Sequence, residues 1–219
     1  MGLVVVNLSR VARQIKEPYS MVGLAHFLDF AAYLCVSQGA IAWHKHPDQD
    51  ELFLVWRGEI AVESEWGNLV LRSGEMAVVP KGVFHRSASV TRSIVMIIER
   101  ALHAERQNGQ RRLLALRGER IVPKVSLAEI SARLGDPGMP AELLRMDGCS
   151  VRLHLFQGEG AWREPSSPQL LLVHQGRLRL EGEGQATTLE EGELVVMPRG
   201  LRHRAQAVER AVAVTWAQA

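Results

Sequence analysis

Two short segments carry side chains that could bind one metal ion together. The first runs from His44 to Glu51 and contributes two imidazoles and one carboxylate, and the second runs from Gly74 to His85 and contributes a third imidazole. Three neutral nitrogens and one carboxylate oxygen suit a divalent transition metal, and they leave coordination positions open for a substrate. The residue types therefore predict one divalent transition metal per chain, from the set iron, manganese, nickel, zinc and copper.

The spacing of these residues allows them to converge. His44 and His46 are two positions apart, so both side chains point to the same face of an extended strand. Glu51 follows a bend that contains proline and aspartate and can begin the neighbouring strand, whereas His85 arrives from a later strand behind the Pro80–Gly82 turn. A lone His-x-His pair is more often two partly exposed histidines, but the matching carboxylate, third histidine and turn residues favour a metal site.

The same segments resemble a known family. The patterns His-x-His-x4-Glu-x6-Gly and Gly-x5-Pro-x-Gly-x2-His are similar to the two signature motifs of the cupin superfamily, although four residues rather than the usual five separate Gly39 from His44. The resemblance implies an all-β fold of antiparallel double-stranded β-helix, or jelly-roll, barrels, with the three histidines and the glutamate as ligands that face a barrel interior. The stretch 48–53 looks most like small bacterial mannose-6-phosphate isomerase-like cupins. That likeness assigns no reaction, because one barrel hosts many activities.

The chain also repeats itself, which indicates two domains. The glycines, proline and histidine around the second motif recur at a constant offset, 192 − 74 = 118. Gly58, Gly74, Pro80, Gly82 and His85 correspond to Gly176, Gly192, Pro198, Gly200 and His203. Upstream, Gln38–Trp43 matches Gln157–Trp162 at 157 − 38 = 119, so one residue is missing before Gln169. We predict two tandem cupin barrels, each preceded by a short helix: an N-terminal barrel with the metal site over 1–105, a connector over 106–125 and a degenerate C-terminal barrel over 126–219.

The second copy has lost most of its candidate ligands. Only His203 remains, and Gln169 stands in place of Glu51. The missing residue leaves two alternatives open for the histidine pair, which is replaced either by Arg163 and Pro165 or by Trp162 and Glu164. A catalytic zinc-type site needs about three protein ligands, so one imidazole is too few. Glu164 could still assist a second metal, but we interpret His203 as a retained structural or pocket histidine and expect the second half to stabilise the first.

The composition excludes several classes of function. Hydrophobic residues make up 47% of the chain and charged residues 23%, as in ordinary globular proteins. The net charge is only +2, and the densest basic stretch, 106–120, is interpreted as a solvated face of the connector, so no nucleic-acid partner is expected. No signal-peptide pattern and no run of about 18 apolar residues is present, so we expect a cytoplasmic protein without a membrane partner. The two cysteines, Cys35 and Cys149, lie in apolar runs and are expected to be buried thiols.

The elements that must position the site follow from the hydrophobic pattern. Short helices are predicted over Leu8–Ile15 and Leu127–Leu134, capped by Asn7 and Ser126. Strands in the first half are predicted over Leu24–Val36, Glu51–Trp56, Glu59–Glu65, Asn68–Leu71, Glu75–Val79 and Ser93–Glu99. The run 52–56 and its counterpart 170–173 are apolar on both faces, which indicates packing between the barrels and in a homodimer.

An apolar pocket is expected around the metal. Phe53 and Val55 share the strand face of Glu51, and Met76 and Val78 alternate along another strand. Such a pocket suits a small, partly apolar ligand that chelates the metal through oxygens. We interpret the chain as a small-molecule metalloenzyme of dioxygenase-like or isomerase-like type, in which Glu51 is a plain ligand or a base. The first alternative is a non-catalytic, metal-dependent binding or sensing protein. The second is a purely structural, seed-storage-like use of the fold, against which the intact quartet argues.

Overall fold

The computed structural model describes residues 3–101, 121–182 and 184–219, and antiparallel strands dominate it. The elements up to the middle of the chain are β1 (Val6–Asn7), α1 (Leu8–Ala12), β2 (Met21–Phe27), β3 (Phe30–Ala40), β4 (Glu51–Arg57), β5 (Glu59–Ser64), β6 (Gly67–Arg72), β7 (Glu75–Val79) and β8 (His85–Arg100). The remaining elements are β9 (Lys124–Ser126), α2 (Leu127–Arg133), β10 (Ala141–Met146), β11 (Cys149–Glu159), β12 (Gln169–Gln175), β13 (Leu178–Gly182), β14 (Gln185–Leu189), β15 (Glu193–Met197) and β16 (His203–Gln218). Most of the predicted connector, including the basic stretch 106–120, lies outside the described residues.

The strands form two antiparallel sheets of eight strands. One sheet has the order β2-β3-β8-β4-β7-β9, with β5 and β6 attached through β8, and the other has the order β10-β11-β16-β12-β15-β1, with β13 and β14 attached through β16. Strands β2 to β8 therefore correspond one by one to β10 to β16, and we name the two units the first barrel and the second barrel. The predicted all-β fold of two tandem barrels, with a short helix before each, is confirmed.

Each barrel pairs with one short strand that comes from the segment before the other barrel. Strand β1 pairs with β15 of the second barrel, where Val6 lies opposite Leu194. Strand β9 pairs with β7 of the first barrel, where Val125 lies opposite Met76. Grouped by contacts, the described residues of Val11–Leu24 and Asp29–Ser126 form one compact unit, and those of Met1–Arg10, Ala25–Leu28 and Leu127–Ala219 form the other. No pattern in the sequence predicted these two strand pairings.

Both helices begin directly after their predicted cap residues, and both end before the last residue that the sequence predicted. The Asn7 side chain accepts a hydrogen bond from the Arg10 amide at 2.9 Å, which satisfies one of the free amides of the first helical turn. Helix α1 ends at Ala12 because the next amides, of Gln14 and Ile15, bond to carbonyls three residues back rather than four. Helix α2 ends at Arg133, one residue before the predicted end.

One predicted strand is in fact a hairpin. The run Leu24–Val36 was expected to be continuous, but the chain turns between β2 and β3, and Leu28 takes a left-handed φ of 51° there. The turn was hidden because it contains neither glycine nor proline, the residues that mark most turns. In contrast, β8 is longer than the predicted Ser93–Glu99 strand, and this length lets it pair with β3, β4 and β5.

Both faces of the central strands are buried. Phe53 and Val55 belong to the core inside the first barrel, while Leu52 and Leu54 on the opposite face are at most 1% exposed. The equivalent strand of the second barrel, β12, is buried on both faces as well. Among the described residues, no helix is long and apolar enough to span a membrane.

Candidate metal centre

The four candidate ligands of the first barrel lie side by side. One ligand atom from each of His44, His46, Glu51 and His85 lies within 4.8 Å of all the others. The Oε2 atom of Glu51 is 2.8 Å from Nε2 of His85 and 3.2 Å from Nε2 of His46. The ring centroids of His44 and His85 are 4.5 Å apart. This is a set of atoms that could hold one metal ion.

Backbone pairing brings these side chains together from three parts of the chain. His44 and His85 form a two-residue bridge in which each amide donates to the other's carbonyl, at 2.9 and 2.8 Å. The carbonyl of His46 accepts a hydrogen bond from the Gly82 amide at 2.7 Å. Gly82 has a φ of +82°, which few residues other than glycine adopt, so the turn before His85 depends on it. Glu51 is the first residue of β4.

Hydrogen bonds to the backbone orient two of the rings. Nδ1 of His44 lies 2.9 Å from the Ala42 carbonyl, and Nδ1 of His85 lies 3.0 Å from the Val83 carbonyl. Because a carbonyl only accepts, each Nδ1 carries the hydrogen and each Nε2 keeps its lone pair for a ligand. Nε2 of His85 and the carboxylate of Glu51 are then two acceptors 2.8 Å apart, a distance that requires a cation, either a proton or a metal ion, to join them. The donor set fits a divalent metal.

The protonation states also favour a metal. Burial alone would raise the pKa of Glu51, but its short contacts with the His46 and His85 rings outweigh burial and hold that pKa well below its ordinary value. Burial lowers the pKa of His44, which keeps its imidazole neutral. Metal ligands must be an ionised carboxylate and neutral imidazoles, so both shifts act in the direction that metal binding needs.

Phe53 and Val55 line the interior beside this cluster. The Phe53 ring meets the His85 ring edge-on, with centroids 6.1 Å apart. Both residues belong to the core of the first barrel and are at most 3% exposed. They therefore form an apolar wall on the strand that begins with Glu51.

Met76 and Val78, which were expected to share this wall, lie on the opposite face of their strand. The register of β7 against β4 sets Met76 opposite Leu54 and Val78 opposite Leu52. Directly opposed residues share one face of a sheet, so the inward positions of β7 belong to Ala77 and Val79 instead, opposite Phe53 and Glu51. The alternation was identified correctly, but its phase depends on a register that the sequence does not state.

A second buried carboxylate was missed. Glu99, near the end of β8, is 2% exposed and accepts a hydrogen bond from Nε2 of Gln49 at 3.0 Å. Ile98 of β8 pairs with Leu52 of β4. One position further along these two strands, Glu99 and Glu51 therefore lie next to each other. The available signal was an acidic residue at the end of a long apolar run.

An aromatic face next to the ligands was also missed. The Trp43 and Phe84 rings stack with centroids 5.5 Å apart and an angle of 12° between their planes. The guanidinium of Arg86 lies 5.2 Å from the Trp43 centroid. These residues alternate with His44 and His85 along the two bridged segments, so they lie on the opposite face of the sheet, where Trp43 is 40% exposed.

The second barrel keeps the same scaffold without the ligands. Arg163 and His203 form the bridge that His44 and His85 form in the first barrel, with hydrogen bonds of 2.7 and 2.9 Å. The Pro165 carbonyl accepts from the Gly200 amide at 2.9 Å, as that of His46 accepts from Gly82. Arg163 and Pro165 therefore replace the histidine pair, and the alternative with Trp162 and Glu164 is excluded.

The remaining positions follow from this alignment. Gln169 lies opposite Met197, as Glu51 lies opposite Val79, so the missing residue falls between Pro165 and Gln169. Glu164 is exposed. Within the ranges that the structure describes, the quartet of the first barrel is the one group of histidine, cysteine and acidic residues with metal-site spacing.

Comparisons with known proteins agree with the duplicated fold. A family model described as Cupin domain matches residues 34–99 and 155–217. The uncharacterized protein YdbB of Bacillus subtilis (strain 168) is 33% identical over 94 residues, which are 42% of this chain and 83% of that protein.

Two solved structures show the same fold at low identity. A cupin 2 conserved barrel domain protein from Leptotrichia buccalis aligns over 100% of this chain and 98% of its own, with a TM-score of 0.74 and 10% identity. Salicylate 1,2-dioxygenase from Pseudoaminobacter salicylatoxidans, in its adduct with gentisate, aligns over 99% of this chain and 81% of its own, with a TM-score of 0.76 and 14% identity. Since the family model matches more than half of the chain, once in each barrel, this protein belongs to the Cupin domain family.

Proposed function

We propose that the first barrel binds one divalent transition metal and acts as a small-molecule metalloenzyme of the dioxygenase type. The observation that carries the proposal is the quartet of His44, His46, Glu51 and His85, whose ligand atoms lie within 4.8 Å of one another. A bound metal of this kind supplies Lewis-acid polarisation of substrate oxygens and open positions for a second reactant. The second barrel lacks the quartet, so we propose one active site per chain.

The surrounding residues would bind and orient the substrate. His44 and His85 present their Nε2 atoms because backbone carbonyls hold their Nδ1 hydrogens. The Phe53 wall excludes water from one side and offers an apolar surface for the ring of a small aromatic molecule. Salicylate and gentisate are therefore suitable first substrates, since the salicylate 1,2-dioxygenase of similar fold is named for one and was solved with the other.

Glu99 favours an isomerase-like reaction as the second candidate. An isomerase needs a base that moves a proton between two positions of the substrate. Glu99 is a buried carboxylate on the strand next to Glu51, and it is not one of the four proposed ligands. Glu99→Gln should abolish an isomerase reaction that uses this base, whereas a reaction with dioxygen at the metal should persist.

Metal analysis tests the site. We expect about one transition metal per wild-type chain and loss of that metal in His85→Ala. The matched control is His203→Ala, which removes the equivalent imidazole of the second barrel and should leave the metal count unchanged. Full metal content in His85→Ala would contradict the proposed site, and two metals per wild-type chain would contradict the single site.

Oxygen uptake tests the reaction. Metal-loaded protein is mixed with salicylate or gentisate in an oxygen-electrode cell, beside chelator-treated protein and His85→Ala. We expect uptake that is lost in both, and retained in His26→Ala, because His26 is exposed and outside the cluster. Turnover that survives metal removal would refute the proposal. Saturable binding without any turnover would favour the non-catalytic binding alternative.

The homodimer and the cytoplasmic location expected from the sequence stay predictions.

A further inference from the structure

The second barrel contains a cavity at the position where the first barrel carries its metal ligands. The cavity has a volume of about 550 Å³ and is lined by polar side chains that include Arg152, His154, Arg163, Gln169, His203 and Thr215. A volume of this size suits a small organic molecule. The loss of the metal quartet has therefore not closed the interior of this barrel.

The inner face of the second barrel has gained polar groups of its own. Side chains alternate along β11, and Phe156 packs against the core inside the barrel, so Arg152 and His154 share its inward face. Arg152 lies opposite Thr215, and Nε2 of His154 lies 2.8 Å from the Thr215 hydroxyl. By the repeat these three positions correspond to Tyr33, Cys35 and Ile97 of the first barrel. A guanidinium, an imidazole and a hydroxyl thus replace a phenol, a thiol and a hydrocarbon.

The cavity lining contains more basic than acidic side chains, with Arg152, Arg163 and Arg204 against Glu159 and Glu164. Arg163, at the former His44 position, forms no ion pair within 4.0 Å in the part of the chain that the structure describes. Nε of Arg152 donates to the Ser150 hydroxyl at 3.0 Å, and that hydroxyl donates to Glu142, which lies opposite Arg152 on β10, so the other nitrogens of this guanidinium are the ones offered to the cavity. A third lining arginine, Arg204, is already paired with Glu159 at 2.9 Å, and a lining carboxylate, Glu164, lies exposed. Burial, and then the charges of Arg163 and Arg152, lower the pKa of His154 to about 4. Arg152, Arg163 and His154 line the same cavity, and His154 stays neutral there.

We propose that the second barrel binds a small organic carboxylate without a metal, with the carboxylate between the Arg152 and Arg163 guanidinium groups. Guanidinium pairs recognise carboxylates through two parallel hydrogen bonds, and partial burial strengthens such contacts. Neutral His154 and Gln169 can add hydrogen bonds, and Leu171 and Phe156 provide an apolar wall for the rest of the molecule. The degenerate barrel is then a ligand site in its own right. This inference does not depend on the proposed reaction of the first barrel.

Calorimetric titration of the full chain with benzoate tests the inference. The protein is chelator-treated and carries His44→Ala, so that the first barrel presents no metal to the probe. We expect saturable binding of one benzoate per chain, and binding of benzamide, its neutral isostere, that is weaker by about ten-fold or more. Absence of saturable benzoate binding, or equal binding of benzamide, would overturn the proposal. Binding of inorganic phosphate in place of benzoate would overturn the assignment to carboxylates.

Variants locate the binding within the second barrel. In the same background, Arg163→Met and Arg152→Met should each weaken benzoate binding by about ten-fold or more. Arg177→Met is the matched control, because it removes the same charge from an exposed arginine that pairs with Glu190 outside the cavity. Equal weakening in Arg177→Met would show a general effect of net charge and refute the site. Arg163 is exposed, so its variant tests the proposal even if the Arg152 variant does not fold.

Discussion

Single residues distinguish the two barrels, because a few inward positions carry different chemistry on the same backbone. The bridge between His44 and His85 recurs between Arg163 and His203, and all four backbone hydrogen bonds are between 2.7 and 2.9 Å long. Replacing an imidazole by a guanidinium removes a metal ligand and adds a permanent positive charge. Gln169 at the Glu51 position removes the one anionic ligand at the same time. The retained histidine therefore cannot recover metal binding alone.

His154 predicts a pH dependence that belongs to the second barrel. Its pKa falls from an ordinary 6.5 to about 4 in the folded protein, so between these values the unfolded chain binds more protons. Stability should thus be lost as the pH falls from 6.5 toward 4, by about 1–2 kcal/mol between pH 7 and pH 5. Denaturant titrations of wild type and His154→Gln at both pH values measure this, and the variant should lose less stability than wild type. His26→Gln, at an exposed position, should behave as wild type, and an identical pH dependence in His154→Gln would contradict the prediction.

Turns between elements hold the strands at the spacing that the site needs. Gly58 follows β4 with a φ of +89°, and an added Cβ would overlap the Ser93 side chain. The Ser93 hydroxyl accepts a hydrogen bond from the Glu59 amide and donates one to the Glu59 carbonyl. Gly176 has the same role after β12, where an added Cβ would lie 2.6 Å from the Arg210 carbonyl oxygen. Both barrels therefore require glycine at this position for two reasons, conformation and close approach.

Gly58→Ala should lower the free energy of unfolding by about 1–3 kcal/mol, because the new Cβ meets both strain and a steric clash. Gly23→Ala is the matched control, since an added Cβ there meets nothing within 4 Å and the backbone is not left-handed. The control should be neutral or stabilising by about 0.5–1 kcal/mol. Denaturant titration measures both, and equal effects of the two substitutions would contradict the expected role of Gly58.

The exchanged strands predict where an N-terminal deletion acts. Because β1 pairs with β15, removal of residues 1–7 should expose one edge of the second barrel while leaving the first barrel's β7–β9 pairing intact. Amide hydrogen exchange should accelerate in Glu193–Met197 and stay unchanged in Glu75–Val79. Faster exchange in Glu75–Val79 alone would show that the N-terminal strand stabilises the other barrel.

At the scale of the whole molecule, duplication separates two sites that no longer share a chemistry. One barrel has a quartet suited to a metal, and the other has a cavity lined by the guanidinium groups of Arg152 and Arg163. Each unit has its own hydrophobic core. The second barrel thus has the fold without the four ligands.

Metal addition should therefore stabilise the chain unevenly. A ligand that binds only the native state stabilises it by about 2.7 kcal/mol at a hundred times its Kd. With Mn²⁺, hydrogen exchange should be slower around His44–Glu51 and Gly82–His85 than without it. The exchange rates of the equivalent segments 163–169 and 200–203 should not change. His85→Ala should abolish the difference. Equal protection of both barrels would contradict the single metal site.

Much of the site could be predicted from the sequence because its determinants are local. The spacing of His44 and His46, the Pro80–Gly82 turn and the constant repeat offset each depend on a few neighbouring residues, and a strand's period of two does not change with context. The short helices and most strand positions follow from the same patterns, and the fold class was implied by the resemblance of the two motifs to the cupin superfamily. The structure brings the four candidate ligands together as that spacing predicted.

Pairings between distant segments were decided only by the tertiary structure. The register of β7 turned Met76 and Val78 away from the cluster, because a shift of one residue exchanges the two faces of a strand. The bridge between Arg163 and His203 showed that Arg163 and Pro165, not Trp162 and Glu164, occupy the positions of the histidine pair. The exchange of β1 and β9, and the burial of Glu99 beside Gln49, likewise depend on contacts made far apart in the chain. The sequence alone thus determined which chemical groups are available, and long-range strand pairing decided which of them meet.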